Sequence, residues 1–112
     1  MKKRKTVIYA SSWLPMTTLD IQVEACQKLA DEQGLTVSGI YQDFNCDTVP
    51  PRQRRYFADL YAAIKRGEVK TLLLTTLGRL GRDEKATAKL MRELKSHGVE
   101  VVETWKEEKT NG

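Results

Sequence analysis

The run Thr71-Leu72-Leu73-Leu74-Thr75 decides the fold class of this 112-residue chain. Three consecutive leucines give the segment no polar face, and such a strand belongs in the centre of a sheet that is covered on both sides. Sheets of this kind are mostly parallel and carry helices on both faces. We therefore expect an α/β domain with residues 71–75 as its central strand.

The segments on either side of this run alternate between short apolar stretches and longer stretches with helical periodicity. Thr17 and Asp20 form a capping box for the first helix, and Gly34 and Gly67 end the first and second helices. Two prolines make residues 45–52 a predicted loop, and residues 78–83 form a turn. The predicted strands are residues 6–11, 35–41, 71–75 and 99–104; the predicted helices are residues 17–33, residues 53–66 and a third one that ends at His97.

Composition places the chain among water-soluble globular proteins. It has room for one domain, which we assign to residues 1–105, followed by a polar tail at residues 106–112. No apolar stretch is long enough to span a membrane, and the one after the basic start is too short for a signal peptide, so we expect a cytoplasmic protein with no membrane partner. The net charge of +4 is compatible with a polyanionic partner without demonstrating one.

The cysteines and the histidine indicate no metal and no cofactor. Cys26 and Cys46 lack a second Cys or a His at metal-ligand spacing, so we expect reduced thiols, with Cys26 as a small core residue. His97 falls in the last turn of a predicted helix, where a cation is mildly favourable. No serine or cysteine triad surrounds it, and no glycine-rich phosphate loop is present, which argues against a hydrolase and against a nucleotide-binding domain.

Three segments of the chain carry a resemblance to a known family. They are Tyr9-Ala10-Ser11-Ser12-Trp13 followed by Thr18-Leu19-Asp20-Ile21-Gln22; Ile40-Tyr41-Gln42-Asp43 with Arg54 downstream; and Leu77-Gly78-Arg79-Leu80-Gly81-Arg82-Asp83. In order and spacing they resemble the catalytic, N-terminal domain of the resolvase/invertase family of serine site-specific recombinases. The resemblance covers residues 6–104 and implies a three-layer α/β domain whose mainly parallel sheet has four or more strands flanked by helices.

In that family a serine hydroxyl attacks a DNA phosphodiester, while arginines and an aspartate bind the phosphate. Guanidinium groups suit this task because their forked donors match the nonbridging oxygens. The resemblance implies that three arginines bind phosphate and that three further residues support them. The phosphate-binding residues are Arg54, Arg79 and Arg82, and the supporting residues are Tyr9, Gln22 and Asp43.

The chain departs from the family pattern where the chemistry occurs. Trp13 stands at the nucleophile, Ser11 at the first-strand arginine and Gly78 at the aspartate of the third segment. An indole cannot attack phosphorus, so we expect a catalytically inactive pseudoenzyme that binds DNA or modulates a recombinase, in the setting of a mobile element. The alternative is an active strand-exchange domain that uses Ser12 or Ser11. On a strand, Ser11 lies about 7 Å from Trp13 on the same face, and Ser12 points to the opposite face.

Interpretations that give the arginines no functional role stay open. Arg79 and Arg82 can be solvated turn residues, and Arg52, Arg54 and Arg55 can be an ordinary charged helix start, although cations there oppose the helix dipole. A third function is a protein-interaction module without DNA contact. The expected partners are DNA and either a second copy or an active recombinase. We expect no counterpart of the family's separate C-terminal DNA-binding domain, and therefore do not expect this chain alone to recognise a specific site.

Overall fold

The structure is a computed structural model, and it describes residues 4–12, 17–44, 50–81 and 83–105. Several residues discussed above lie outside the described part of the chain: Trp13, Cys46, Arg82 and residues 106–112.

Strands and helices alternate along the chain, as the apolar pattern predicts. The elements are β1 (Lys5–Ser12), α1 (Thr17–Glu32), β2 (Val37–Phe44), α2 (Arg55–Lys65), β3 (Val69–Leu74), α3 (Glu84–Ser96) and β4 (Glu100–Glu103). The four strands form one sheet in the order β2-β1-β3-β4, and every neighbouring pair is parallel. The expected α/β fold with a parallel sheet is confirmed.

Helices cover both faces of this sheet. On one face, Cys26 and Ala30 of α1 pack against Ile8 and Leu73. On the other face, the apolar sides of α2 and α3 pack against alternate residues of β1 and β3; the fully buried members are Tyr9, Phe57, Leu60, Ile64, Leu72, Leu74 and Leu94. Leu72, Leu73 and Leu74 thus point to opposite layers in turn, which explains why the central run has no polar position.

Two predicted connections contain more regular structure than the sequence indicated. Pro51–Gln53 of the predicted loop forms a 3₁₀ turn, and proline fits its first position because that residue needs no backbone donor. α2 consequently begins at Arg55 rather than at residue 53. Leu77–Leu80 forms a second 3₁₀ turn, which overlaps the turn predicted at residues 78–83.

The second strand also begins two residues later than predicted. The N–H of Leu35 donates to the carbonyl of Ala30 at 2.8 Å, so this residue completes the end of α1 instead of joining the sheet. Gly34 between them has φ of 71°, a left-handed conformation that glycine adopts without steric cost. None of the helices in the described ranges is long and apolar enough to cross a membrane.

Cys26 makes the stability of the fold sensitive to alkaline pH. Burial raises the pKa of its thiol from 9.0 to about 11, and the Thr104 hydroxyl opposes this shift only in part. The unfolded chain therefore loses the proton first, so the contribution of Cys26 is complete below pH 9 and is lost as the pH rises to 11. We expect this to lower the free energy of unfolding by about 2 kcal/mol.

Urea unfolding of the wild type and of Cys26→Ala at several pH values between 8 and 11 measures the effect, because other groups titrate equally in both proteins. The wild type should lose more stability than the variant across this interval. Parallel pH profiles would contradict the burial of a protonated thiol.

Candidate functional site

A chain of buried polar groups lies at the carboxyl ends of β1 and β2. The hydroxyl of Tyr9 donates to Oδ2 of Asp43 at 2.8 Å and accepts from Nη1 of Arg54 at 3.2 Å. Tyr9 and Asp43 sit two positions apart in the parallel register, since Ser11 pairs with Asp43. The sheet pairing therefore brings Tyr9 close to a residue 34 positions away, and Arg54, 45 positions away, reaches the same hydroxyl from the start of α2.

Burial keeps the phenol of Tyr9 in its neutral form. Loss of solvent raises the pKa of Tyr9 far above its ordinary value of 10, and the nearby guanidinium of Arg54 lowers it only in part. A neutral phenol can donate to the carboxylate and accept from the guanidinium at the same time. Tyr9 is thus a connector between an acidic and a basic side chain.

Asp43 also holds the beginning of α2. Its Oδ1 accepts from the N–H of Tyr56 at 2.9 Å, and its Oδ2 accepts from the N–H of Phe57 at 2.9 Å. These are orphan donors of the first helical turn, because the residue at the N-cap position, Arg54, makes no capping bond with its own side chain. A carboxylate from a neighbouring strand therefore caps the helix and compensates its dipole.

The side chain of Arg54 contacts the backbone of Arg79, which lies in the 3₁₀ turn at Leu77–Leu80. Arg54 is only 3% exposed, and its Nη1 donates to the backbone carbonyl of Arg79 at 2.5 Å. The side chain of Arg79 is half-buried and makes two longer contacts, from Nε to Oγ1 of Thr75 at 3.3 Å and from Nη1 to the carbonyl of Ser11 at 3.5 Å. Partial burial lowers the pKa of Arg79, yet a guanidinium keeps its charge at neutral pH.

Ser11 links the end of β1 to the same turn. Its hydroxyl donates to the carbonyl of Arg79 at 2.7 Å. Its backbone is held by the side chain of Gln22, whose Nε2 donates to the Ser11 carbonyl at 2.8 Å while its Oε1 accepts from the Ser11 N–H at 3.2 Å. Gln22 is fully buried, so α1 positions the strand end through one amide group.

Ser12 is engaged on the opposite side of the strand. It is 5% exposed, and its hydroxyl accepts from the hydroxyl of Thr18 at 2.5 Å, in the first turn of α1. The two serines considered as replacement nucleophiles are therefore both buried and hydrogen-bonded.

The structure brings most of the predicted site residues together. Tyr9, Asp43, Arg54 and Arg79 belong to one connected set of hydrogen bonds, and Gln22 joins it through Ser11. Trp13 and Arg82 lie outside the described residues, so their predicted positions stay predictions.

Sequence reasoning assigned no role to Thr75 or Thr18, although Thr75 accepts from Arg79 and Thr18 donates to Ser12. Thr18 stood in the first segment that carries the family resemblance, and Thr75 was expected only as the last residue of the central strand. Gly78 is exposed, and a Cβ there would meet nothing closer than Oγ1 of Thr76, at 3.6 Å. The backbone therefore does not require glycine at the position where the family pattern has a carboxylate. No cluster of potential metal ligands occurs among the described residues.

Comparison with known proteins agrees with this geometry. Residues 11–111 match the family described as the N-terminal domain of resolvase. The chain belongs to the resolvase N-terminal domain family. No curated protein sequence matches it.

Solved structures similar to this resolvase-family domain are catalytic domains of serine recombinases. The C-terminal catalytic domain of ISC1926 TnpA, an IS607-like serine recombinase, is 21% identical with a TM-score of 0.83, and the match covers 96% of this chain and 71% of that one. The N-terminal catalytic domain of TP901-1 integrase is 22% identical with a TM-score of 0.78, covering 90% and 77%. A serine recombinase from Sulfolobus solfataricus is 24% identical with a TM-score of 0.73, covering 97% and 74%. At these identities the matches establish the shared fold.

Proposed function

We propose that this resolvase-family domain binds the phosphate backbone of DNA without cutting it, and that it modulates recombination by associating with a second copy or with an active recombinase. The observation that carries the proposal is the half-buried guanidinium of Arg79 at the carboxyl end of β1, on a turn whose Arg79 carbonyl accepts from buried Arg54 and from Ser11. A guanidinium on a turn held in this way suits a phosphodiester, because its forked donors match the nonbridging oxygens.

Arg79 is the group that first meets the phosphate in this proposal. Its guanidinium is half-buried, its contacts to Thr75 and Ser11 are long, and a charge-assisted bond to a phosphate oxygen is stronger than either. Arg54 is buried and stabilises the turn by donating a hydrogen bond to the Arg79 carbonyl. Arg82, three positions beyond Arg79, adds a third cation in the proposal.

The absence of cleavage follows from the nucleophile. Trp13 supplies no oxygen, and the proton of the Ser11 hydroxyl is held by a backbone carbonyl, which is too weak a base to remove it. For Ser12 to attack, its hydroxyl must leave Thr18 and emerge from a site where it is 5% exposed. Electrostatic groups that survive without a nucleophile leave only a residual rate.

The binding part of the proposal predicts a salt-dependent affinity for duplex DNA that depends on Arg79. In fluorescence anisotropy with a labelled duplex, Arg79→Gln should weaken binding about tenfold and reduce the slope of log K against log salt by about one. Arg66→Gln is the matched control, because Arg66 is exposed and already paired with Glu68 at 2.9 Å. Wild-type affinity that is absent, or that does not respond to salt, would leave a protein-interaction module as the better explanation.

Incubation with supercoiled DNA tests the absence of cleavage. No covalent protein–DNA adduct and no nicking are expected at any protein concentration. An adduct that disappears in Ser11→Ala or in Ser12→Ala would show that one of these serines has replaced the family nucleophile.

A further inference from the structure

The two layers of helices carry opposite charge. In α1, on one face of the sheet, four acidic residues accompany one basic residue. In α3, on the other face, four basic residues accompany two acidic ones. The long-range field of the described part of the chain therefore directs a polyanion toward α3 rather than toward α1.

Three of the cations of α3 form a stripe along its outer side. Lys85, Lys89 and Arg92 follow the i, i+4, i+7 spacing, which places them on one face of a helix. This face lies opposite the buried residues Leu90 and Leu94, and all three cations are exposed.

These cations are free to meet an external anion. Within the described ranges no carboxylate forms an ion pair with Lys85, Lys89 or Arg92. The stripe is about 10 Å long at 1.5 Å per residue. That length corresponds to the axial rise of about three nucleotides of one DNA strand, at 3.4 Å each.

The stripe also starts beside the candidate phosphate site. α3 begins at Glu84, four residues beyond the turn that carries Arg79, and the Asp83 side chain caps it through the N–H groups of Lys85 and Ala86. The helix then leads away from the carboxyl end of the sheet, because β3 and β4 are parallel and α3 connects them.

We propose that the outer face of α3, formed by Lys85, Lys89 and Arg92, is a second DNA-backbone contact that holds the duplex flanking the phosphate at Arg79. The inference rests on the proposed DNA binding and adds the surface that the flanking duplex occupies. An acidic protein segment is the competing occupant, but a regular row of unpaired cations, with only the small side chain of Ala88 between Lys85 and Arg92 on this face, fits a phosphate backbone better than a folded protein partner.

The test compares two double variants that remove the same charge, one from the stripe and one from positions outside it. Lys89→Gln/Arg92→Gln removes two cations of the stripe, and Lys28→Gln/Lys70→Gln removes two exposed cations from α1 and β3. Glutamine preserves helix propensity, so far-ultraviolet circular dichroism should be unchanged in both.

Anisotropy titrations with a labelled duplex at several salt concentrations give the readout. The stripe variant should bind about tenfold more weakly and reduce the salt slope by about two, while the control keeps the wild-type slope. Equal affinities of the two variants, with wild-type binding and the Arg79 effect intact, would overturn this inference alone. If the wild type binds no duplex at all, the proposed function fails as well.

Competition separates DNA from an acidic protein partner. When the competitor concentrations are counted as negative charges, unlabelled duplex should displace the labelled duplex at a far lower concentration than polyglutamate does. Polyglutamate that competes equally well with the wild type, and less well with the stripe variant, would identify an acidic protein surface as the occupant and overturn the assignment to DNA.

Discussion

Replacing Asp43 with alanine is expected to lower the free energy of unfolding by about 3–5 kcal/mol, the largest effect of any single polar substitution in this domain. The carboxylate accepts three hydrogen bonds, from the hydroxyl of Tyr9 and from the N–H groups of Tyr56 and Phe57. Alanine leaves these donors without a partner in a site where Asp43 itself is 4% exposed. Each buried donor without an acceptor costs about 1–3 kcal/mol.

Asp83→Ala is the matched control for this measurement by urea unfolding. Asp83 also accepts from two N–H groups in the first turn of a helix, but it is exposed, so water replaces it and the cost should be about 1 kcal/mol. Similar losses for the two variants would show that the Asp43 network contributes no more than an ordinary surface cap.

Replacing Gln22 with alanine should lower the free energy of unfolding by about 3 kcal/mol. The amide of Gln22 satisfies both the N–H and the carbonyl of Ser11, and no solvent reaches it. The variant leaves both backbone groups unpaired and creates a cavity at the end of β1. Because Ser11 supports the turn through the Arg79 carbonyl, the variant should also weaken DNA binding.

Gln27→Ala provides the comparison on the same helix. Gln27 donates to Asp31 at 3.0 Å on the exposed side of α1, and its loss should cost less than about 0.5 kcal/mol. Calorimetric or urea unfolding of both variants gives the contrast directly. A Gln22→Ala protein as stable as Gln27→Ala would contradict the role assigned to the buried amide.

The residues probed by these two substitutions also stabilise the fold around the candidate site. Asp43 caps the first turn of α2. Arg54, the residue immediately before α2, donates to the carbonyl of Arg79. This resolvase-family domain therefore has a stability reason to retain Tyr9, Asp43 and Arg54 that is independent of DNA cleavage. Their presence alone is weaker support for phosphate binding than the half-buried guanidinium of Arg79.

The sequence by itself determined the layered architecture, because that depends on local patterns. The leucine run at residues 72–74 required a strand covered on both faces, and the spacing of Phe57, Leu60 and Ile64 required a helix with one buried side. The ordered motifs identified the family, and from them we predicted that Trp13 stands in place of the nucleophile. Two of the boundaries that differed, at residues 35 and 53, depended on hydrogen bonds that end or precede a helix.

Only the tertiary structure decided what the polar residues of the site do. The strand order β2-β1-β3 places Asp43 at the start of α2, which begins 12 positions later in the chain. It also places Ser11 against the carbonyl of Arg79, 68 positions away. Buried polar groups must find partners, and those partners are set by which strand ends meet, which no local pattern encodes. Ser11, read from sequence as the replacement of an arginine or as a possible nucleophile, is in the fold a hydrogen-bonded support for the Arg79 turn.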